Sequence, residues 1–217
     1  MFKTTNNEHI TEDSFNLIWL LGWGYYGKVY LAEKKNDGRL FAIKAIKKID
    51  IIKRNFIENL KNERKIMDEN DNPFVVNLEY CYSNQSMIFF AMKFKQGGEL
   101  YHHLRAQTRF PESTVKFYAC QIICGLIYLH NKGILYRDMK PENILLDEHG
   151  NASLADFGVS KYIESDQMTF SYVGTPEYVA PEIIYQKGHG KSVDVWCLGV
   201  LLYEMIYGLP PFYNKEQ

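Results

Sequence analysis

The sequence predicts an α+β protein in two parts, a small antiparallel sheet with one main helix followed by a larger, mainly helical portion. Three features lead there. Apolar and polar residues alternate along most of the first part, Gln96-Gly97-Gly98 breaks that pattern, and apolar residues recur at helical spacing beyond the break. The parts are therefore expected at residues 15–95 and 96–217, after a polar N-terminal extension over 1–14.

Taken in order, the alternation predicts strands at 15–21, 28–34 and 39–47, the last two joined by the turn residues Asn36-Asp37-Gly38. A helix is predicted over 54–70, closed by Asp71-Asn72-Pro73, and two short apolar strands come next and end near Met92. Beyond the glycine pair, Pro111 opens a long helix. Its residues Val115, Tyr118, Ala119, Ile122, Leu126 and Leu129 keep one apolar stripe until Lys132-Gly133 stops it. Residues 136–182 read as loop with two short strand-like pieces, and a last apolar helix is predicted over 192–207, before Gly208-Leu209-Pro210-Pro211.

Composition narrows the function classes. The 25 basic and 26 acidic residues nearly cancel, so no global field draws the chain to nucleic acid or to an anionic membrane. The extension lacks the apolar run of a signal peptide, and residues 195–203, the most apolar late stretch, are too few to span a bilayer. A cytoplasmic setting is expected. Cys81, Cys120, Cys124 and Cys197 form no CxxC pair and suit free thiols; Cys120 and Cys124, one helical turn apart, are expected to be packing residues.

Certain residues fit that frame poorly and point to chemistry. Gly22, Gly24 and Gly27 make a GxGxxG string, but a strand pattern comes after it where a dinucleotide fold would have a helix. It reads either as a plain hairpin turn or as a tip whose backbone N–H groups approach phosphate. Lys44 shares a strand face with Ala42 and Ile46, while Glu63 shares a helix stripe with Phe56, Leu60 and Met67. Either charge buried alone costs several kcal/mol, so a Lys44–Glu63 pair is expected, with two snorkelling side chains as the other reading. Tyr136-Arg137-Asp138-Met139-Lys140-Pro141-Glu142-Asn143 is followed by Asp156-Phe157-Gly158. Asn143 and Asp156 offer hard oxygen ligands of the kind Mg²⁺ prefers, Asp138 a base for an attacking hydroxyl, and Lys140 a charge to offset a transferring phosphate.

The order of these residues, continued by Ala180-Pro181-Glu182 and Asp194, resembles that of the eukaryotic protein kinase family over about residues 15–217. Tyr136 in the usual histidine position, with Gly174-Thr175-Pro176-Glu177-Tyr178, is similar to the AGC group, which includes cyclic-AMP-dependent protein kinase and protein kinase B. The resemblance implies a two-lobed kinase fold, ATP and Mg²⁺ as cofactors, and serine/threonine protein substrates. It implies that Leu21, Gly22, Gly24, Gly27, Val29, Ala42, Met92 and Leu145 contact ATP, with Lys44 on its α/β-phosphates, Glu63 holding Lys44, and Asn143 and Asp156 on the metal. Glu99, Glu142, Thr175 and Glu204 match substrate-binding positions, the acidic ones favouring basic residues before the phosphoacceptor. Glu99 and Glu204 are equally readable as solvated helix residues.

Ser171 stands where the group carries an activating phosphate, placed by an upstream kinase and received by Arg137 and Lys161; Thr169 is the alternative acceptor. There are two departures from the group's pattern. Asn59 replaces a histidine that several relatives direct at that phosphate, and the sequence stops at Gln217, where the family's larger lobe continues; an arginine partner for Glu182 and the final helices are not in it. A catalytically inactive nucleotide-binding scaffold and a lipid or small-molecule kinase are the rival readings.

Overall fold

A computed structural model describes residues 10–24, 27–164 and 167–214. Most of the N-terminal extension, Tyr25 and Tyr26 of the glycine string, and Gln217 lie outside the described residues. The chain forms two compact units: the first ends at Asp71 and resumes over Val76–Lys95, and the second takes in Asn72–Val75 and runs on from Gln96.

The first unit is built on strands β1 (Phe15–Gly24), β2 (Gly27–Lys34), β3 (Leu40–Lys47), β4 (Leu78–Ser83) and β5 (Met87–Lys93). All neighbours are antiparallel, in the order β1-β2-β3-β5-β4. Asn36-Asp37-Gly38 makes the β2–β3 turn as its chemistry requires: Gly38 has φ +70°, and Asp37 Oδ1 accepts the Arg39 N–H at 3.1 Å. Alternation sorts the sheet into two faces. One carries Phe15, Ala32, Phe41, Ile43 and Ala91, a buried cluster on which Tyr80, Tyr82 and Phe89 pack. Phe15 meets Phe41 edge-on at 5.6 Å and stacks on Tyr82 at 5.7 Å between centroids, geometries that add to the burial gain.

The helix expected over 54–70 is α2 (Ile57–Asp68), and a further short helix, α1 (Lys48–Lys53), precedes it. Asn55, at φ 57°, is the break between them, a left-handed conformation that asparagine tolerates better than most residues. The Ile-rich segment Lys48–Lys53 pairs with no strand; it turns helical and buries Ile51. Along α2, Leu60, Glu63, Ile66 and Met67 form the buried stripe.

The second unit contains the short strand β6 (Gly98–Glu99), α3 (Leu100–Gln107), α4 (Glu112–Asn131), β7 (Ile134–Leu135), β8 (Ile144–Leu146), β9 (Ala152–Leu154), β10 (Lys161–Tyr162), α5 (Pro181–Ile184) and α6 (Ser192–Tyr207). Pro111 caps α4 and Gly208 caps α6. At φ +89°, with a would-be Cβ 2.4 Å from the Thr108 carbonyl oxygen, position 208 admits no side chain without local rearrangement. Val115, Ile122, Leu126 and Leu129 of α4 bury with Leu100, Leu104, Ile144 and Leu154. The expectation that Cys120 and Cys124 pack inside is wrong: both are exposed. At 100° per residue they fall about 160° from Ile122, on the side opposite the buried stripe, beside exposed Phe117 and Ile127. Among the described residues, no helix is long and apolar enough to cross a membrane.

Candidate active site

In the first unit, β3 carries Lys44 on the face opposite the aromatic cluster, and α2 brings Glu63 to it. Lys44 Nζ lies 2.6 Å from Glu63 Oε1, with side chains only 6% and 2% exposed. Each charge offsets the other's desolvation, so losing either partner costs far more than losing both. Direct cross-strand partners share a face, and this register sets Val29 opposite Lys44 and Met92 opposite Ala42. Val29, Ala42, Lys44 and Met92 thus line one half-buried sheet face. Leu21 is exposed at a register shift in β1, Gly22 pairs with Val29, and Gly24 pairs with Gly27 where the hairpin turns. Gly27 has a packing reason to be glycine: a Cβ there would stand 2.1 Å from the Ala45 carbonyl oxygen, whereas at Gly22 it would meet nothing within 4 Å.

In the second unit, Asp138 is held from both sides. Its Oδ1 accepts the Thr175 hydroxyl at 2.8 Å, and its Oδ2 accepts Asn143 Nδ2 at 2.8 Å and Lys140 Nζ at 3.0 Å. Lys140 also donates to Thr175 Oγ1 at 3.0 Å, closing a ring of Asp138, Lys140 and Thr175. With its NH₂ group given to Asp138, Asn143 keeps its amide oxygen as the end chemically able to ligate a cation. Asp156 comes after β9 at φ 53°, its Oδ1 accepting the Gly158 N–H at 3.2 Å. Leu145, in β8, stays partly exposed and pairs with Glu99 of β6. Among the described residues no group of three His, Cys, Asp or Glu side chains could hold a metal. The Asn143 and Asp156 oxygens fit Mg²⁺, which usually takes one or two carboxylates and completes its shell with phosphates and water.

The loop that presents Asp138 is anchored by residues far away in sequence. Asp194, fully buried in α6, accepts the backbone N–H of Tyr136 at 2.9 Å and of Arg137 at 2.7 Å, and the ring N–H of His130 at 2.8 Å. Tyr136 is itself buried; its hydroxyl donates to the Ala155 carbonyl at 2.5 Å, and its ring meets Phe157 edge-on at 5.6 Å. Burial raises the Tyr136 phenol well above its ordinary range, so it stays a donor. Arg137 sits at φ 69°, a strained conformation kept because Asp194 and Val159 hold both its ends.

Arg137 also links this loop to Ser171. Its Nε donates to the Val159 carbonyl at 2.9 Å and its Nη1 to Ser171 Oγ at 2.6 Å. Lys161 Nζ reaches Thr169 Oγ1 at 3.0 Å, and the two hydroxyls are 3.3 Å apart. Thr169, the alternative acceptor, is 3% exposed and closed to an incoming enzyme, while Ser171 is partly open. Burial lowers Arg137 to about 10, still a cation at neutral pH.

The acidic positions divide. Glu142 is exposed, and Glu99 is half-buried with its carboxyl raised by desolvation, which His102 opposes and Glu142 reinforces. Glu204 is no solvated helix residue. It is 1% exposed, bonded to Arg105 Nη2 at 2.8 Å and to the Tyr178 hydroxyl, and burial outweighs Arg105 to push it up to about 7. A substrate arginine reaches it only by displacing groups of the chain itself. Glu182 accepts the Ser192 hydroxyl at 3.2 Å. Sequence reasoning missed the bridging role of Thr175 and the anchor at Asp194; the one signal was that acidic residues, Asp194 and Glu204, stand inside a mostly apolar helix.

Residues 15–217 match the family model described as protein kinase domain. Among curated proteins, the chain is 45% identical to "Protein kinase 2" of Dictyostelium discoideum over 97% of its own length and 44% of that protein. It is 43% identical to "Serine/threonine-protein kinase sgk-1" of Caenorhabditis elegans, covering 95% of itself and 45% of the relative. To the "cAMP-dependent protein kinase catalytic subunit" of Dictyostelium discoideum it is 43% identical, over 93% of itself and 31% of that protein. The chain thus spans less than half the length of each of these relatives.

Proposed function

This chain belongs to the protein kinase family, and from that premise we propose that it transfers the γ-phosphate of ATP to serine or threonine hydroxyls of protein substrates. The observation that carries this reading is Asp138, a carboxylate oriented by Thr175, Lys140 and Asn143 at once. As the substrate oxygen bonds to the γ-phosphorus and the bond to the leaving ADP oxygen breaks, Asp138 takes the hydroxyl proton. Lys140 offsets charge on the transferring group, and Thr175 fixes the Asp138 rotamer. Lys44, held by Glu63, serves the α- and β-phosphates, and Leu21, Gly22, Gly24, Gly27, Val29, Ala42, Met92 and Leu145 contact the rest of the nucleotide. Mg²⁺, bound through Asp156 and the Asn143 amide oxygen, would neutralise the β- and γ-phosphates.

Substrates with basic residues before the acceptor fit Glu99 and Glu142, with Glu204 in support. An upstream kinase phosphorylates Ser171, and Arg137 with Lys161 reads that phosphate, in a cytoplasmic signalling setting. Incubating the chain with Mg²⁺, labelled ATP and an arginine-rich serine peptide, beside Asp156→Ala, tests the reading. Label in the peptide with the parent alone is expected. Label with neither protein points to a nucleotide-binding scaffold, and, in a parallel incubation with lipid vesicles added, label entering only the lipid points to a lipid kinase; either result overturns the reading.

A further inference from the structure

Thr169 and His189 face each other across an antiparallel bridge, each backbone N–H donating to the other's carbonyl, at 3.0 and 2.9 Å. Side chains directly opposite in such a pair project to the same side, which puts the imidazole on the side of the pair that carries the Thr169 side chain. That hydroxyl belongs to the cluster around Ser171, bonded to Lys161 and 3.3 Å from Ser171 Oγ. His189 is 3% exposed, and among the described residues its Nε2 has no hydrogen-bond partner. A buried ring nitrogen left this way is costly, and an arriving acceptor would relieve it. The charges acting on the ring are Arg137 and Lys161 on the positive side, Glu182 and Asp194 on the negative.

We propose that His189 is a further reader of the Ser171 phosphate: neutral beside the unmodified serine, it takes a proton from solvent when Ser171 carries a phosphate and donates its Nε2–H to that group. The idea rests on Ser171 being the phosphorylated residue. In the unmodified chain, burial and then Arg137 hold His189 below its usual range. The folded form therefore binds fewer protons there than the unfolded one, and acid loosens the 169–189 bridge. A phosphate adds nearly two negative charges in the same cluster and reverses that balance. The bridge is then firmest in acid and loses this support as pH rises through the raised value.

The test uses the full chain with phosphoserine inserted genetically at position 171, so that modification needs no upstream kinase, beside the unmodified chain. Proton NMR of the histidine rings tracks each titration, with His189→Gln serving only to assign the resonance. The His189 midpoint is expected to rise by at least about one pH unit on phosphorylation, the usual effect of a close opposite charge. The ³¹P midpoint should fall below that of phosphorylated His189→Gln, since the two groups titrate as a coupled pair. Equal His189 midpoints in the two forms overturn the proposal. Peptide phosphorylation is measured on the same samples: a raised midpoint without higher activity removes Ser171 as an activating site but keeps the His189 contact, and higher activity with equal midpoints does the reverse.

Discussion

Asp194→Ala removes the acceptor on which the catalytic loop hangs. Two backbone donors, the N–H groups of Tyr136 and Arg137, lose a fully buried carboxylate acceptor. Hydrogen bonds to a charged partner contribute about 1.5–3 kcal/mol each, so the two together imply about 3–6 kcal/mol. The loss also frees Arg137 to leave φ 69°. Because the chain has two units, a single unfolding midpoint averages over both, and hydrogen exchange read by mass spectrometry over residues 134–143 is the sharper assay. Protection of that segment should fall by about 10²–10⁴ in Asp194→Ala, the equivalent of that energy at 1.4 kcal/mol per decade. Asp194→Asn, which keeps one carbonyl oxygen, should lose about half as much on a logarithmic scale. Protection within tenfold of the parent in Asp194→Ala would show that the loop is held by something else.

Other single contacts carry consequences of their own. Ser171→Ala removes the acceptor that Arg137 reaches, so after treatment with an upstream kinase its peptide phosphorylation should stay low while ATP affinity, read by calorimetry, is unchanged; turnover equal to the parent refutes the assignment. Burial raises Glu204 from 4.5 to about 7, so the folded form holds the extra proton: this group supports folding fully below 4.5 and loses that support as pH rises through 7. Urea titrations at pH 5 and 8 should differ less for Glu204→Gln than for the parent, and an unchanged difference removes Glu204 as the source. Gly27→Ala drives a methyl against the Ala45 carbonyl and should cost about 3 kcal/mol, against under about 0.5 for Gly22→Ala, where space is open. Equal urea midpoints for the two alanine variants contradict that packing.

Local chemistry made parts of the molecule readable in advance. The turn at Gly38, the cap at Gly208 and the helix limits around Pro111 and Lys132 come from backbone preferences that one residue carries. Lys44 and Glu63 betrayed themselves as charges on apolar faces, and such charges need each other. What escaped the sequence depends on contacts between distant positions. Lys48–Lys53 has strand-like isoleucines yet folds as α1, because burying Ile51 outweighs a weak local preference. Cys120 and Cys124 looked like core by residue type, but their angle around α4 sets them outside. Thr175 meets Asp138 across 37 positions and Asp194 meets Arg137 across 57, separations at which no local pattern reports a partner. His189 carries no sequence signal of its pairing with Thr169, 20 positions away.

The central claim is that Asp138 accepts the proton of the attacking hydroxyl. Single-turnover transfer of labelled γ-phosphate from Mg²⁺·ATP to a serine peptide, comparing the chain with Asp138→Asn at equal nucleotide occupancy, tests it most directly. Transfer slower by about 10²–10⁴ with ATP affinity unchanged is expected. Transfer by Asp138→Asn at the parent's rate would contradict it.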